Sequence, residues 1–321
     1  ESDRFLIEDY RIASLPLAHQ LRNLNRDVSA TKRTPQLLVV GNVNYDSSQA
    51  ATPSGRNENL LAMNDRRMRD ISGETDAAEL DLLRSGLRDE FLPLEGFEQE
   101  LELVQELYPN QNQNITALSG QQATKQAFLK RASESTILHV ITHGYFAADD
   151  HQVRGAQRDA NDSGTGKNNL ALRELSQNRF VTRFAPGLLS GLAFAGANQV
   201  GDLTSPSEDG ILRSSEIEVA SLTGVELVVL SACETGLGRV ANGEGIAGLQ
   251  RAFQIAGAKS VVASLWKVDD QATVELMKLF YSNLWQKKMP TLDALHNAQI
   301  TMLEQYDVKT GQLRGLGTKA V

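Results

Sequence analysis

Two apolar runs in this sequence each end on a residue able to do chemistry. Glu226-Leu-Val-Val-Leu-Ser-Ala-Cys233 brings the chain's one cysteine to Glu234-Thr-Gly236. Thr136-Ile-Leu-His-Val-Ile-Thr-His143 brings an imidazole to Gly144. Each run reads as a buried strand that opens into a glycine-containing turn. In a parallel sheet the carboxyl ends of strands are where ligands bind. A thiol and an imidazole at two such ends make a candidate cysteine–histidine dyad, with the thiol as nucleophile and the imidazole as base. A free cysteine is often simply packed in a core. Cys233 stands instead at the mouth of its strand, followed by polar residues, where a partly exposed thiolate can be favoured by a positive neighbour or a helix N-terminus. His139 lies four residues before His143, on the same face of the expected strand and two pleats deeper, so it is expected to be buried. That leaves His143 as the better base. Gly144 lets a substrate carbonyl approach the backbone. The N–H groups of Gly144 and Cys233 are the candidates for an oxyanion hole.

Two other chemistries compete for the same region. Gly236-Leu-Gly238-Arg-Val-Ala241 fits the G-x-G-x-x-G/A nucleotide fingerprint after a strand. The fit is poor, because Asn242-Gly243 and Gly245 interrupt the helix that should receive the pyrophosphate. His143, Asp149, Asp150 and His151 form a loose acidic and imidazole set, but no metal-ligand motif is met. Neither a cofactor nor a metal is expected.

The elements that must position the dyad follow from the apolar pattern. Gln36–Asn42, Ile115–Leu118, the two runs above, Leu188–Ala195 and Lys259–Trp266 read as strands, and Tyr10–Ser14 as a short one. Glu98–Tyr108, Lys125–Ala132, Ile211–Ala220, Ile246–Ala256, Asp270 to about Trp285 and Thr291 to about Tyr306 read as helices. Gly257 closes the fourth of these as a C-terminal glycine should. Strands alternating with helices, several of them continuously apolar, predict an α/β fold with a mostly parallel sheet covered on both faces. Two polar stretches, about 44–90 and 147–185, are too long for ordinary connections and read as insertions. The first is expected to hold some helix around Leu60–Leu83.

The chain has 321 residues and a formal net charge of −8. One domain spanning 1–321 accommodates every element, and the sequence has the look of a piece of something longer. A lone cysteine excludes an internal disulfide framework and suits a reducing, cytoplasmic compartment. No run approaches the roughly 18 apolar residues of a membrane span. The acidic balance, without a basic stripe, argues against nucleic acid as a direct partner.

The motifs together resemble those of the CHAT family, caspase-like domains often found beside tetratricopeptide repeats. The resemblance rests on Leu138–Gly144, Leu227–Gly236, Gly243-Glu-Gly245, Arg251-Ala-Phe253, Ala256-Gly-Ala258, Ser264–Asp270 and Ala294–Gln299. Tyr10–Pro16, Leu92–Glu98 and Asp209-Gly-Ile-Leu212 extend it upstream. It implies a caspase/separase-type cysteine endopeptidase acting on a protein or peptide substrate. Cys233 would be the nucleophile and His143 the general base and acid, with Gly144 and Cys233 donating to the oxyanion and no third catalytic side chain. The stretch after Trp266 is similar to one in which an aspartate receives a basic P1 side chain. That makes Asp270, with Asp269 as second choice, the candidate specificity acid, although both aspartates also suit the start of a helix. The resemblance further implies control by a partner or neighbouring repeat region. The 147–185 loop carries Arg154, Arg158, Arg173, Arg179 and Arg183, and is either a self-cleavage segment or a solvated insertion. A non-catalytic interaction module on the same fold is the alternative to a peptidase.

Overall fold

The computed structural model describes residues 5–13, 34–47, 91–94, 97–109, 114–146, 190–199, 209–231, 244–264, 270–307 and 312–313. At its centre lie five parallel strands: β1 (Leu37–Val43), β2 (Ile115–Gly120), β3 (Ile137–Ile141), β7 (Leu227–Ser231) and β8 (Ser260–Ala263), in the order β2-β1-β3-β7-β8. A second sheet is antiparallel, with β4 (Gly144–Phe146), β5 (Ser190–Ala193) and β6 (Ile211–Arg213). Seven α-helices occur among the described residues: α1 (Leu6–Asp9), α2 (Phe97–Leu107), α3 (Lys125–Ala132), α4 (Ser214–Glu218), α5 (Glu244–Ile255), α6 (Asp270–Tyr281) and α7 (Thr291–Gln305). A π-helical turn over Ser282–Gln286 continues α6, and β9 (Tyr306–Asp307) pairs with β10 (Gln312–Leu313).

The continuous apolar runs become strands because both faces of the sheet are covered. Leu37, Leu38, Val39 and Val40 are all fully buried. Alternation divides them between two cores. Leu38, Val40, Leu138, Val140, Val228 and Leu230 pack with Phe128 of α3, Ile217 of α4 and Phe253 of α5. Leu37, Val39, Leu227 and Val229 face the other way, onto Val104 of α2, Phe280 of α6 and Ala298 of α7. Burying each such Leu or Phe contributes about 1.5–3 kcal/mol. The mostly parallel sheet between two helical layers is the expected α/β fold.

Two glycines set close approaches. A Cβ on Gly41 would lie 2.0 Å from the Phe97 ring, so the first residue of α2 rests directly on the end of β1. Gly257 ends α5 at φ +112°, and a Cβ there would meet the Thr223 backbone.

Two expectations are corrected. Ile211–Ala220 is not one helix. Ile211, Leu212 and Arg213 pair with Ala193, Leu192 and Gly191 as β6, and only Ser214–Glu218 turns into helix. The Glu216 carboxylate accepts the Arg213 N–H at 2.8 Å, which switches the chain from strand to helix at that point. Tyr10–Ile12 form no strand; the exposed segment is held to α7 by the His296 Nε2 to Ile7 carbonyl bond (2.8 Å) and the Arg11–Asp293 ion pair. Residues 48–90 and 147–189, which hold all of the second expected insertion and all but the first four residues of the first, lie outside the described residues.

The antiparallel sheet is tied to α3 by a buried ionic network. Lys125 Nζ donates to Asp209 Oδ1 (2.8 Å), Glu216 Oε1 (2.9 Å) and the Ile211 carbonyl (3.1 Å). Arg213 Nη2 lies 2.7 Å from Asp209 Oδ2. Among the described residues the cluster holds two cations and two carboxylates. Burial alone would raise the Asp209 pKa, but the Lys125 and Arg213 charges outweigh it and hold the carboxyl well below the usual carboxylate range.

A depressed carboxylate stabilises the fold above its unfolded pKa and loses that contribution as pH falls toward its folded value. Asp209→Asn should therefore cost about 3–5 kcal/mol in urea unfolding at pH 7, since it leaves buried cations uncompensated. The wild type should also lose stability faster than the variant between pH 4 and pH 2.5. Parallel pH profiles would contradict this role for Asp209.

Candidate functional site

His143 lies two residues past the end of β3 and immediately before β4. The strand stops at Ile141, so the alternation expected to place His139 and His143 on one face does not continue. His139 packs against Tyr281, in the core beneath α2, α6 and α7. His143 instead packs in tilted contact with both Tyr45 and Phe91, members of the opposite core, with ring centroids 5.2 and 5.6 Å away. The Thr142 hydroxyl sits at this change of face, where it bonds the Ala193 carbonyl and meets the Tyr45 hydroxyl at 3.0 Å. Burial raises the Tyr45 pKa to about 12, against the opposing bonds to Thr142 and the His143 backbone, so the phenol stays protonated.

The two ring nitrogens of His143 have different surroundings. Nε2 lies 2.6 Å from the Leu92 carbonyl oxygen. A carbonyl only accepts, so Nε2 carries the proton by inference from this contact. Nδ1 is buried and has no hydrogen-bond partner among the described residues. In the neutral ring Nδ1 then holds the free lone pair. Burial lowers the His143 pKa, opposed in part by the Leu92 bond, so the ring is neutral near pH 7 and able to take a proton. The two flanking aromatic rings restrict its rotation.

The segment that supplies the Leu92 carbonyl is itself clamped. Asn198 accepts the Phe91 N–H at Oδ1 (2.9 Å) and donates from Nδ2 to the Phe91 carbonyl (3.0 Å) and to Asp46 (2.9 Å). Its backbone N–H donates to the Tyr45 carbonyl (2.8 Å). One amide thus holds the chain on both sides of the imidazole. Neither Leu92 nor Asn198 stands out as a site residue in the sequence. The Leu92-Pro93 pair before α2 and the Gly196-Ala-Asn198 turn are the signals that lie nearest to them.

Gly144 opens β4 and pairs with Leu192. The Ala193 N–H donates to the His143 carbonyl at 2.9 Å. That makes Gly144–Leu192 a non-hydrogen-bonded pair of the antiparallel ladder, so the Gly144 N–H points away from β5. It remains suited to donate to an oxyanion.

The remaining sequence candidates are placed less fully. Asp270 is the first residue of α6. Cys233 and Asp269 lie outside the described residues, as do the Gly236–Gly243 stretch and Asp149, Asp150 and His151. No cluster of His, Cys, Asp and Glu among the described residues has the geometry to hold a metal ion. No described helix is long and apolar enough to cross a membrane.

No curated protein matches this sequence. A protein-family model described as CHAT domain matches residues 1–312, nearly the whole chain. That family is related to the caspase-like peptidases, and the parallel sheet between two helical layers is consistent with their fold. A match of this extent makes the chain a member of the CHAT domain family.

Proposed function

We propose that this protein is a cysteine endopeptidase in which Cys233 is the nucleophile and His143 the general base and acid. The observation that carries the reading is the state of His143: a neutral imidazole, pinned at Nε2 by a backbone carbonyl, with Nδ1 unengaged at the end of a parallel strand. The strand register supports the partner. β3 and β7 are adjacent and parallel, and Ile141 pairs with Ser231. His143 and Cys233 each follow that pair by two residues.

The chemistry runs as follows. His143 Nδ1 takes the Cys233 thiol proton, and the sulfur attacks the scissile carbonyl carbon. The carbonyl oxygen becomes an oxyanion that accepts from the Gly144 and Cys233 N–H groups. Collapse expels the amine, which takes the proton from His143, and leaves a thioester. Water, deprotonated by the same nitrogen, hydrolyses the thioester and restores the thiol. The Leu92 carbonyl plays the part of an orienting third group without being a side chain. It stabilises the imidazolium, since Nε2–H bonds a carbonyl more strongly when the ring is charged.

The family resemblance extends the proposal to substrate and control. Asp270, with Asp269 as second choice, would pair with a P1 Arg or Lys of a protein substrate. An Arg–carboxylate pair is bidentate and strong. A tetratricopeptide-repeat neighbour or another partner would restrain the enzyme, as a peptidase with its thiol reduced in the cytoplasm requires. Self-cleavage within 147–185 belongs to the same proposal.

An Arg-P1 acyloxymethyl ketone should label Cys233 covalently, with no labelling in Cys233→Ala and a loss of about 100-fold or more in His143→Ala. Wild type that stays unlabelled with its natural partners present would overturn the reading. Fragments identical in wild type and Cys233→Ala would exclude self-cleavage. Because burial lowers the His143 pKa, kcat/KM should rise with pH along a limb centred below 6.5 and be near its plateau at pH 7. A limb centred at or above pH 7 would contradict a buried neutral base.

A further inference from the structure

The sheet face opposite His143 holds a chain of buried polar groups that the chemistry above does not use. Glu100, in the first turn of α2, is 4% exposed and His139 is fully buried. Glu100 Oε2 accepts the Ser231 hydroxyl at 3.1 Å. Glu100 Oε1 lies 3.1 Å from His139 Nε2, close enough for an ion pair but not aligned as a hydrogen bond. His139 Nδ1 meets the Tyr281 hydroxyl at 2.5 Å. Burial and the Glu100 charge both raise the Tyr281 pKa, so that hydroxyl keeps its proton. The surroundings are otherwise apolar: Leu37, Val39, Val104, Leu227, Val229 and Phe280.

A carboxylate in such a core is costly, and an apolar side chain would fill the space with less penalty. What Glu100 adds is a connection. His139 is on β3 and Ser231 is on β7, one step along the ladder from the residue paired with His139 on that face. The carboxylate therefore bonds β7 and lies against β3, within two residues of Cys233 and four of His143. Its own helix begins at Phe97, which rests on Gly41, five residues after the Leu92 that holds His143. Residues 91–100 thus reach both strands, through a backbone carbonyl on one face and a carboxylate on the other.

We infer that Glu100 is a positioning residue for the proposed dyad: its carboxylate holds Ser231, the last residue of β7 and two before Cys233, against α2 beside His139 of β3. The inference rests on the peptidase reading. Glu100 touches no substrate in this role and moves no proton. It acts through Ser231 and His139.

The test measures iodoacetamide alkylation of Cys233 against pH in wild type, His143→Ala, Glu100→Gln, Ser231→Ala and Ser231→Thr, per folded molecule from circular dichroism. Glu100→Gln and Ser231→Ala should alkylate about 10-fold more slowly than wild type near pH 6, toward the His143→Ala profile, and match wild type where any thiol is ionised. Ser231→Thr restores the hydroxyl and should recover the wild-type profile. Ser231→Ala alone carries the test if Glu100→Gln does not fold. A purely structural role would change the folded fraction and leave the profile per folded molecule unmoved. Variant profiles that overlay wild type, while His143→Ala differs from it, overturn the inference and leave the peptidase reading standing. Wild type and His143→Ala profiles that coincide overturn both.

Discussion

The bond between His143 Nε2 and the Leu92 carbonyl decides what the imidazole can do. With its proton committed to a carbonyl, the neutral ring has one basic nitrogen, and that nitrogen is Nδ1. Reverse the tautomer and the lone pair would face a carbonyl oxygen, which has no proton to give. Everything around the ring serves this one contact. Tyr45 and Phe91 limit rotation, Asn198 holds the Phe91 backbone, and the Thr142 hydroxyl anchors the turn that carries the chain from β3 to β4. Burial then keeps the ring uncharged.

The sheet supplies the geometry that no local feature can. Adjacent parallel strands deliver their carboxyl ends to the same edge, so the ends of β3 and β7, about 90 residues apart in the chain, lie side by side without any sequence-local motif. Two helical layers make that edge rigid, because both faces of β1, β3 and β7 are buried in separate cores. The antiparallel sheet, held by the Lys125–Asp209–Arg213–Glu216 network, backs β4 and so sets the direction of the Gly144 N–H.

Much of this was legible in the sequence, and the failures have physical causes. Continuous apolar runs, with Gly257 as a stop, marked the strands and helices of the main sheet closely. The strand-end place of His143, before a glycine, was legible as a local pattern. Its face was not, since the alternation rule fails once β3 ends at Ile141. Ile211-Leu-Arg213 reads as helix in the sequence because three residues carry no period, and its strand character comes from pairing with β5. Leu92 acts through a backbone carbonyl, which has no residue signature. Asn198 and Glu100 are polar residues whose side-chain hydrogen-bond partners lie about 100 or more positions away.

The tautomer of His143 is the most direct point at which to test the site. Long-range ¹⁵N–¹H correlation on the histidine-labelled protein at pH 7.5 should show a neutral ring protonated at Nε2, with Nδ1 at the shift of an acceptor nitrogen. A ring protonated at Nδ1 with a bare Nε2 would contradict the site as described, because the free lone pair would then face the Leu92 carbonyl.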